Sequence, residues 1–305
     1  MSGGDPPHAL LRPRIALPFL LISLIWGSTW VVIADQLTET PPMWSVVWRF
    51  APATLGAFAL AMVMGKSLIP SGKAHLLAMA IGLTQFCANY ALVYHSEIHL
   101  TSGIVAVMFS LLIVPNAILG RLMLAQPVTP RFLAGSLVAI AGIALLLVNE
   151  AQAARLGRDV PLGVLLALGA MLAASLASVI QAGELGRSAP MATLLAWSML
   201  YGALFDAALA VATEGPPVIP STFAFWSGAL YLALFGSVAT LPAYWFLVRE
   251  LGAGRAAYQG VVSVIIAMAL STVFEDYRWS ALAIGGAGLA LAGLVIALSA
   301  RNPET

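Results

Sequence analysis

Ile15-Ala-Leu-Pro-Phe-Leu-Leu-Ile-Ser-Leu-Ile-Trp-Gly-Ser-Thr-Trp-Val-Val-Ile-Ala34 is a run of twenty residues without one formal charge. A helix rising about 1.5 Å per residue needs about 20 apolar residues to cross ~30 Å of hydrocarbon, so this run reads as a membrane span. Nine further stretches of similar length follow, near residues 42–64, 74–95, 101–122, 130–149, 161–183, 190–213, 222–248, 255–274 and 279–299. The expected fold class is all-α integral membrane, with ten transmembrane helices. Arg12 and Arg14 precede the first run, as they would in a signal peptide. The run exceeds a usual signal core and holds Trp26 and Trp30, so it is expected to persist as a helix.

Composition agrees. The chain is 61% hydrophobic and 9% charged, against about 25% charged in soluble domains. Net charge is +1, which gives no field for nucleic acid. The single cysteine, Cys87, cannot form a disulfide within one chain. No phosphate-cradling Walker sequence is present, so the chain is not in itself an ATP-driven pump, and no cofactor is expected.

Basic residues orient the spans. With the N-terminus inside, Arg12, Arg14, Lys66, Lys73, Arg121, Arg131, Arg187, Arg249, Arg255 and Arg301 fall on the cytoplasmic side, ten in all; Arg155, Arg158 and Arg278 fall outside. An even number of crossings returns the C-terminus to the inside.

The second half echoes the first. Gly135-Ser-Leu-Val-Ala-Ile-Ala-Gly142 lies 151 residues before Gly286-Ala-Gly-Leu-Ala-Leu-Ala-Gly293. Spans three and eight both place aromatics near their last turns: Tyr90 and Tyr94, then Tyr244, Trp245 and Phe246. Five spans per unit is an odd number, so the two units should lie inverted in the bilayer, an arrangement found in secondary transporters. The expected organisation is a tail at 1–14, a first repeat at 15–149, a polar linker at 150–160, a second repeat at 161–300 and a tail at 301–305. Spans five and ten, rich in Gly and Ala, are expected to be scaffold.

Leu24-Ile-Trp-Gly-Ser-Thr-Trp30 resembles the opening-helix motif of the drug/metabolite transporter superfamily, EamA type. Trp48-Arg49-Phe50 is similar to its second-helix arginine motif, and Leu100-Thr-Ser-Gly103 followed by Ser110 to Pro115 to its fourth-helix signature. The resemblance covers nearly the whole chain. Gln126 stands where the family often has Glu, Glu275 and Asp276 are shifted by about a residue, and span six lacks the opening motif. Overall likeness within the family is to the aromatic amino-acid exporters. It implies export of small metabolites by alternating access in the cell inner membrane.

Polar groups in hydrocarbon are costly unless they pair or face a cavity. The candidate substrate wall is Gln85, Asn89, Tyr90 and Tyr94 in span three, with Gln85, Asn89 and Tyr90 on a common side at helical spacing. Trp26 and Trp30 share a face of span one. Gln181, Tyr244 and Tyr258 complete the set. Arg49 and Asp206 are the two charges inside spans; they are read as a possible pair, off the cavity wall. With no acid among the wall residues, the site should suit a neutral or zwitterionic solute with an apolar or aromatic body, and a facilitator needs no proton carrier. Pro115, Pro242 and Gly260 are candidate hinges, since proline frees a carbonyl one turn back. Other small metabolites or hydrophobic drugs remain alternative substrates. A membrane enzyme or a channel is the reading from another class, and the His95, Glu97, His99 cluster is its one point of support; a solvated helix end is the expectation there. A small-molecule substrate and the bilayer are the expected partners, and the expected state is a monomer.

Overall fold

The structure, a computed structural model, describes residues 13–153, 159–251, 256 and 258–299. The tail up to Arg12, the linker arginines Arg155 and Arg158, Arg255, Arg301 and the tail 301–305 lie outside them. Among the described residues the regular structure is all helical. The helices are α1 (Pro13–Gln36), α2 (Pro42–Val63), α3 (Gly72–His99), α4 (Ser102–Leu124), α5 (Pro130–Ala153), α6 (Val160–Ala182) and α7 (Met191–Glu214). They continue with α8, whose segments are Phe223–Leu230, Tyr231–Ala239 and Thr240–Leu251, then α9 (Tyr258–Phe274) and α10 (Ala281–Ser299). Nine of them are long and apolar enough to cross a membrane; α9 is a shorter apolar helix.

Local chemistry sets the helix starts. Ser71, Asp159 and Thr222 each accept a hydrogen bond from the backbone N–H three residues on, and Pro42 opens α2. Helix α5 runs further than the sequence indicates: Glu150 belongs to its last turns and is buried, and its carboxylate accepts the N–H of Thr101 at 3.1 Å. It is therefore not a linker residue.

Several features recur at the same spacing. The π-helical stretches Gly82–Ala88 in α3 and Tyr231–Ala239 in α8 overlap under a shift of 151 residues. Ala125 and Asp276, also 151 apart, are the two non-glycine residues with positive φ, at 54° and 55°, among the described residues. They end α4 and α9. Helices α5 and α10 cross at their glycines. A Cβ on Gly135 would stand 2.7 Å from the carbonyl of Gly293, and one on Gly142 would stand 2.6 Å from that of Gly286. The backbones can meet only because those side chains are absent. Gly135 thus meets the residue 151 positions after Gly142, and Gly142 the residue 151 positions after Gly135, the pattern of a two-fold, self-complementary contact.

One end of the bundle is tied by carboxylates that reach from the second half to helix N-termini of the first. Glu214 accepts the N–H groups of Met43 (3.0 Å) and Trp44 (3.2 Å), and Glu275 accepts that of Ser102 (3.1 Å) and its hydroxyl. These anions sit where orphan amides and the helix dipole favour them. At the other end the segment after α2 lies over α7, where Thr193 and Trp197 donate to the carbonyls of Ser67 (2.6 Å) and Leu68 (2.8 Å).

Candidate functional site

A cavity of about 250 Å³ lies between α3, α6, α7 and α8. It is lined by Ile81, Gln85, Phe86 and Tyr90 of α3, Gln181 of α6, and Met191, Leu194, Leu195, Ser198 and Met199 of α7, with Gly236, Ser237 and Leu241 of α8. A second recess of about 220 Å³ shares Leu194 and reaches the segments around Ser67–Ser71 and Leu185–Pro190, so the chamber approaches that end of the bundle.

The π stretches shape the chamber. A π turn takes about one more residue than an α turn, so the residue five on, not four on, stacks above a given position. Gln85 and Tyr90, five apart, both line the cavity, whereas Asn89 is turned away and buried, its amide donating to the Gln85 carbonyl at 3.3 Å. The expectation of one common face for Gln85, Asn89 and Tyr90 assumed an uninterrupted α-helix and is corrected by this register change. Gly82 and Gly202 let the α3 stretch press against α7: a Cβ on Gly202 would lie 2.4 Å from that of Phe86.

Of the remaining candidates, Gln181 faces the chamber. Tyr94 does not. It is fully buried one turn beyond Tyr90 and donates to Gln36 at 3.4 Å. Trp26 donates to the Gly236 carbonyl (3.2 Å) and to the Thr240 hydroxyl (3.0 Å), and its ring lies 5.4 Å from that of Tyr244. This pair braces the back of the α8 stretch instead of lining the chamber. Trp30 packs on Phe109, ring centroids 5.1 Å apart. Tyr258, at the start of α9, is half-buried and outside the lining. Pro115 accompanies a break in α4 between Ser110 and Ile113, where the Leu111 carbonyl accepts the Val114 N–H at 2.8 Å. Pro242 follows the α8 π stretch, and a Cβ on Gly260 would meet nothing within 4 Å.

Arg49 and Asp206 do not pair. The one ion pair within 4.0 Å among the described residues joins Arg14 to Glu250 at 3.1 Å. Asp206 is fully buried, and both its carboxylate oxygens lack hydrogen-bond partners. Arg49 stands directly behind the chamber wall, contrary to expectation. Its guanidinium lies 4.5 Å from the centre of the Tyr90 ring and 5.2 Å from that of Phe50. Nη2 donates to the Tyr90 hydroxyl at 3.4 Å and to Ser237 Oγ at 3.5 Å, while Nε and Nη1 are buried without partners. A charge in mid-helix was the available signal, since such residues mark function by default.

Glu97 was read as solvated. Instead it is buried, 5% exposed, and both oxygens lack hydrogen-bond partners. Its neighbours in sequence diverge: His95 bonds the Ala91 carbonyl at 2.7 Å, and His99 accepts the Asp159 N–H at 3.2 Å. Helix α3 runs to His99, past the expected end, and carries Glu97 inward.

A helical, membrane-spanning bundle around a solute-sized chamber has the build of a carrier. The EamA-like transporter family matches residues 14–148 and again residues 161–299. The chain belongs to that family and is a membrane transporter rather than an enzyme. It is 27% identical over 280 residues to YedA, an inner membrane transporter of Escherichia coli strain K12, covering 90% of this chain and 88% of YedA. It is 28% identical to the protein PagO of Salmonella typhimurium over 140 residues, so that match spans about half of PagO, 46% of each chain. A solved crystal structure superimposes with a TM-score of 0.67 at 17% identity, over 94% of this chain and 96% of that one, a likeness of fold alone.

Proposed function

We propose that the protein is a secondary transporter exporting small neutral or zwitterionic metabolites, foremost aromatic or hydrophobic amino acids, by alternating access. The observation that carries this reading is the chamber itself. Its wall combines aromatic rings (Phe86, Tyr90), amides (Gln85, Gln181) and hydroxyls (Ser198, Ser237) on helices from both family-matched segments. Rings stack on Tyr and Phe, while amides and hydroxyls bond a carboxylate or ammonium. A volume near 250 Å³ is below the ~300–1,000 Å³ of drug-sized pockets and favours a small solute over a bulky drug.

In this reading ten spans form two inverted five-helix repeats, 15–149 and 161–300. The 151-residue recurrence of π stretches and left-handed helix ends supports it, as does the reciprocal glycine crossing. The bias of basic residues puts both termini in the cytoplasm, and the likeness to YedA supports the inner membrane. The chamber then faces inward, with the carboxylate-tied end closed. A single chain encloses it, so a monomer suffices. Pro115, Pro242 and Gly260 are the positions expected to flex.

The test is counterflow of labelled phenylalanine and tryptophan in liposomes holding the purified chain without a pH gradient. Saturable exchange is expected; non-saturating flux would indicate a channel, and strict need for a gradient would overturn the facilitator reading. A second reading, proton-coupled exchange, is favoured by Glu97, a buried acid without a bonded partner. It requires that flux follow an imposed pH gradient and that Glu97→Gln uncouple it.

A further inference from the structure

We infer that Arg49 is the carboxylate anchor of the substrate site, and that the transporter selects solutes carrying a carboxylate on an apolar body and does not require their amino group. The inference deepens the transport reading above and rests on the same chamber.

A guanidinium presents five N–H donors and stays charged. Here it is 2% exposed inside the bundle, with two contacts at the outer limit of hydrogen bonding and two nitrogens with none. No carboxylate of the described residues lies within 4.0 Å of it; Glu97 interacts with it only at longer range. Buried cations are ordinarily paired, because an unpaired one loses its hydration without return. The faces of Tyr90 and Phe50 hold the cation in place but satisfy none of its in-plane donors.

Two polar groups join the guanidinium to the chamber. Tyr90, Gly236 and Ser237 all line the cavity, and the two hydroxyls are the groups that Nη2 touches. A Cβ on Gly236 would stand 3.0 Å from Thr29 Cγ2 and 3.8 Å from Nη2, so the glycine lets α1 and the guanidinium pack close against the chamber wall. A solute carboxylate arriving there replaces two long contacts to neutral hydroxyls with short ones to an anion and can be gripped by two donors at once. The opposite charge has no such host. No Asp or Glu lines the chamber, and an ammonium would meet only the amides and hydroxyls.

The experiment is ligand binding to the full chain in detergent, read by thermal shift and tryptophan fluorescence. The probes share one body and differ in charge: hydrocinnamate, hydrocinnamamide, phenethylamine and phenylalanine, with isovalerate and isovaleramide as an aliphatic pair. Both hydrocinnamate and phenylalanine should bind roughly 10-fold or more tighter than the amide and the amine, the scale of one charge-assisted hydrogen bond. Arg49→Gln should abolish that preference. Ser237→Asp guards against a misfolded Arg49→Gln: it supplies a carboxylate inside the protein, pairs with Arg49, and should lose acid binding while its melting temperature holds or rises. Equal binding of acids and amides by the native chain overturns the anchor, whatever the variants do. So does undiminished acid preference in either variant. Binding of aliphatic but not aromatic acids keeps the anchor and sinks the aromatic-solute reading. Acid-selective binding without counterflow keeps the anchor and sinks the transport mode.

Discussion

Helices α5 and α10 give a sharp test, because glycines a residue or two apart on α10 should respond with opposite sign. A Cβ on Gly142 would stand 2.3 Å from the backbone nitrogen of Ala290, where ordinary contact begins at 3.4 Å. Neither atom can swing aside, so the helices must part by about 1.1 Å, the difference between those distances. A gap of that order forfeits a quarter to a half of each affected dispersion contact. Overpacking of this kind costs about 1–3 kcal/mol. A Cβ on Gly286 meets the Gly142 carbonyl at 2.7 Å, so Gly286→Ala should cost a similar amount. Gly285 and Gly288 face open space, so replacing either by alanine should stabilise by about 0.5–1 kcal/mol through helix propensity alone. The double change Gly142→Ala with Gly286→Ala should cost less than the two singles together, since the first separation already makes room for the second. The assay is the unfolding midpoint of purified protein in detergent, with size-exclusion profiles as control. Equal responses at Gly286 and Gly288, or strict additivity of the pair, would refute the tight crossing.

Three further outcomes follow from other contacts. Pro115→Ala should restore the missing donor in α4 and slow counterflow without lowering expression; unchanged flux removes the break from the transport cycle. Glu275→Ala strips the cap from the first turn of α4 and should cost about 1–2 kcal/mol of stability, read as a lowered melting temperature. Tyr277, outside the spans, has its phenol pushed up from 10.0 to about 12 by burial and by the nearby Glu150, against an opposing hydrogen bond from Asn149. The folded state therefore holds the proton more tightly than the unfolded chain, so this stabilisation is complete below pH 10.0 and lost as pH rises towards about 12. Melting temperature should fall more steeply across that window in the native protein than in Tyr277→Phe.

The all-helical membrane class and the glycine contacts were legible because they rest on quantities that a sequence displays directly: length of apolar runs and spacing of glycines. The apolar runs read as ten spans; among the described residues nine helices have spanning length, and the run at 255–274 holds the shorter helix α9. Gly135, Gly142, Gly286 and Gly293 meet as their spacing implies. The wall was half legible. Gln85, Tyr90 and Gln181 stand out as polar groups in hydrocarbon and line the chamber. Asn89 stands out equally and does not, because one π turn rotates it away, and no residue type announces a π turn. The large contribution of α7 was hidden, since Met191, Leu194 and Met199 look like any lipid-facing residues. Glu97 was misjudged through a helix end placed a few residues too early, which turned a buried acid into a solvated one.

The crossing of α5 and α10 has a corollary. Each helix offers its partner the same notch that it receives, so the surface is its own complement. On the inverted-repeat reading proposed above, one five-helix unit would meet a copy of itself through this surface. Under that reading the arginine of α2, which has no basic counterpart in α7, marks a place where the halves differ in charge.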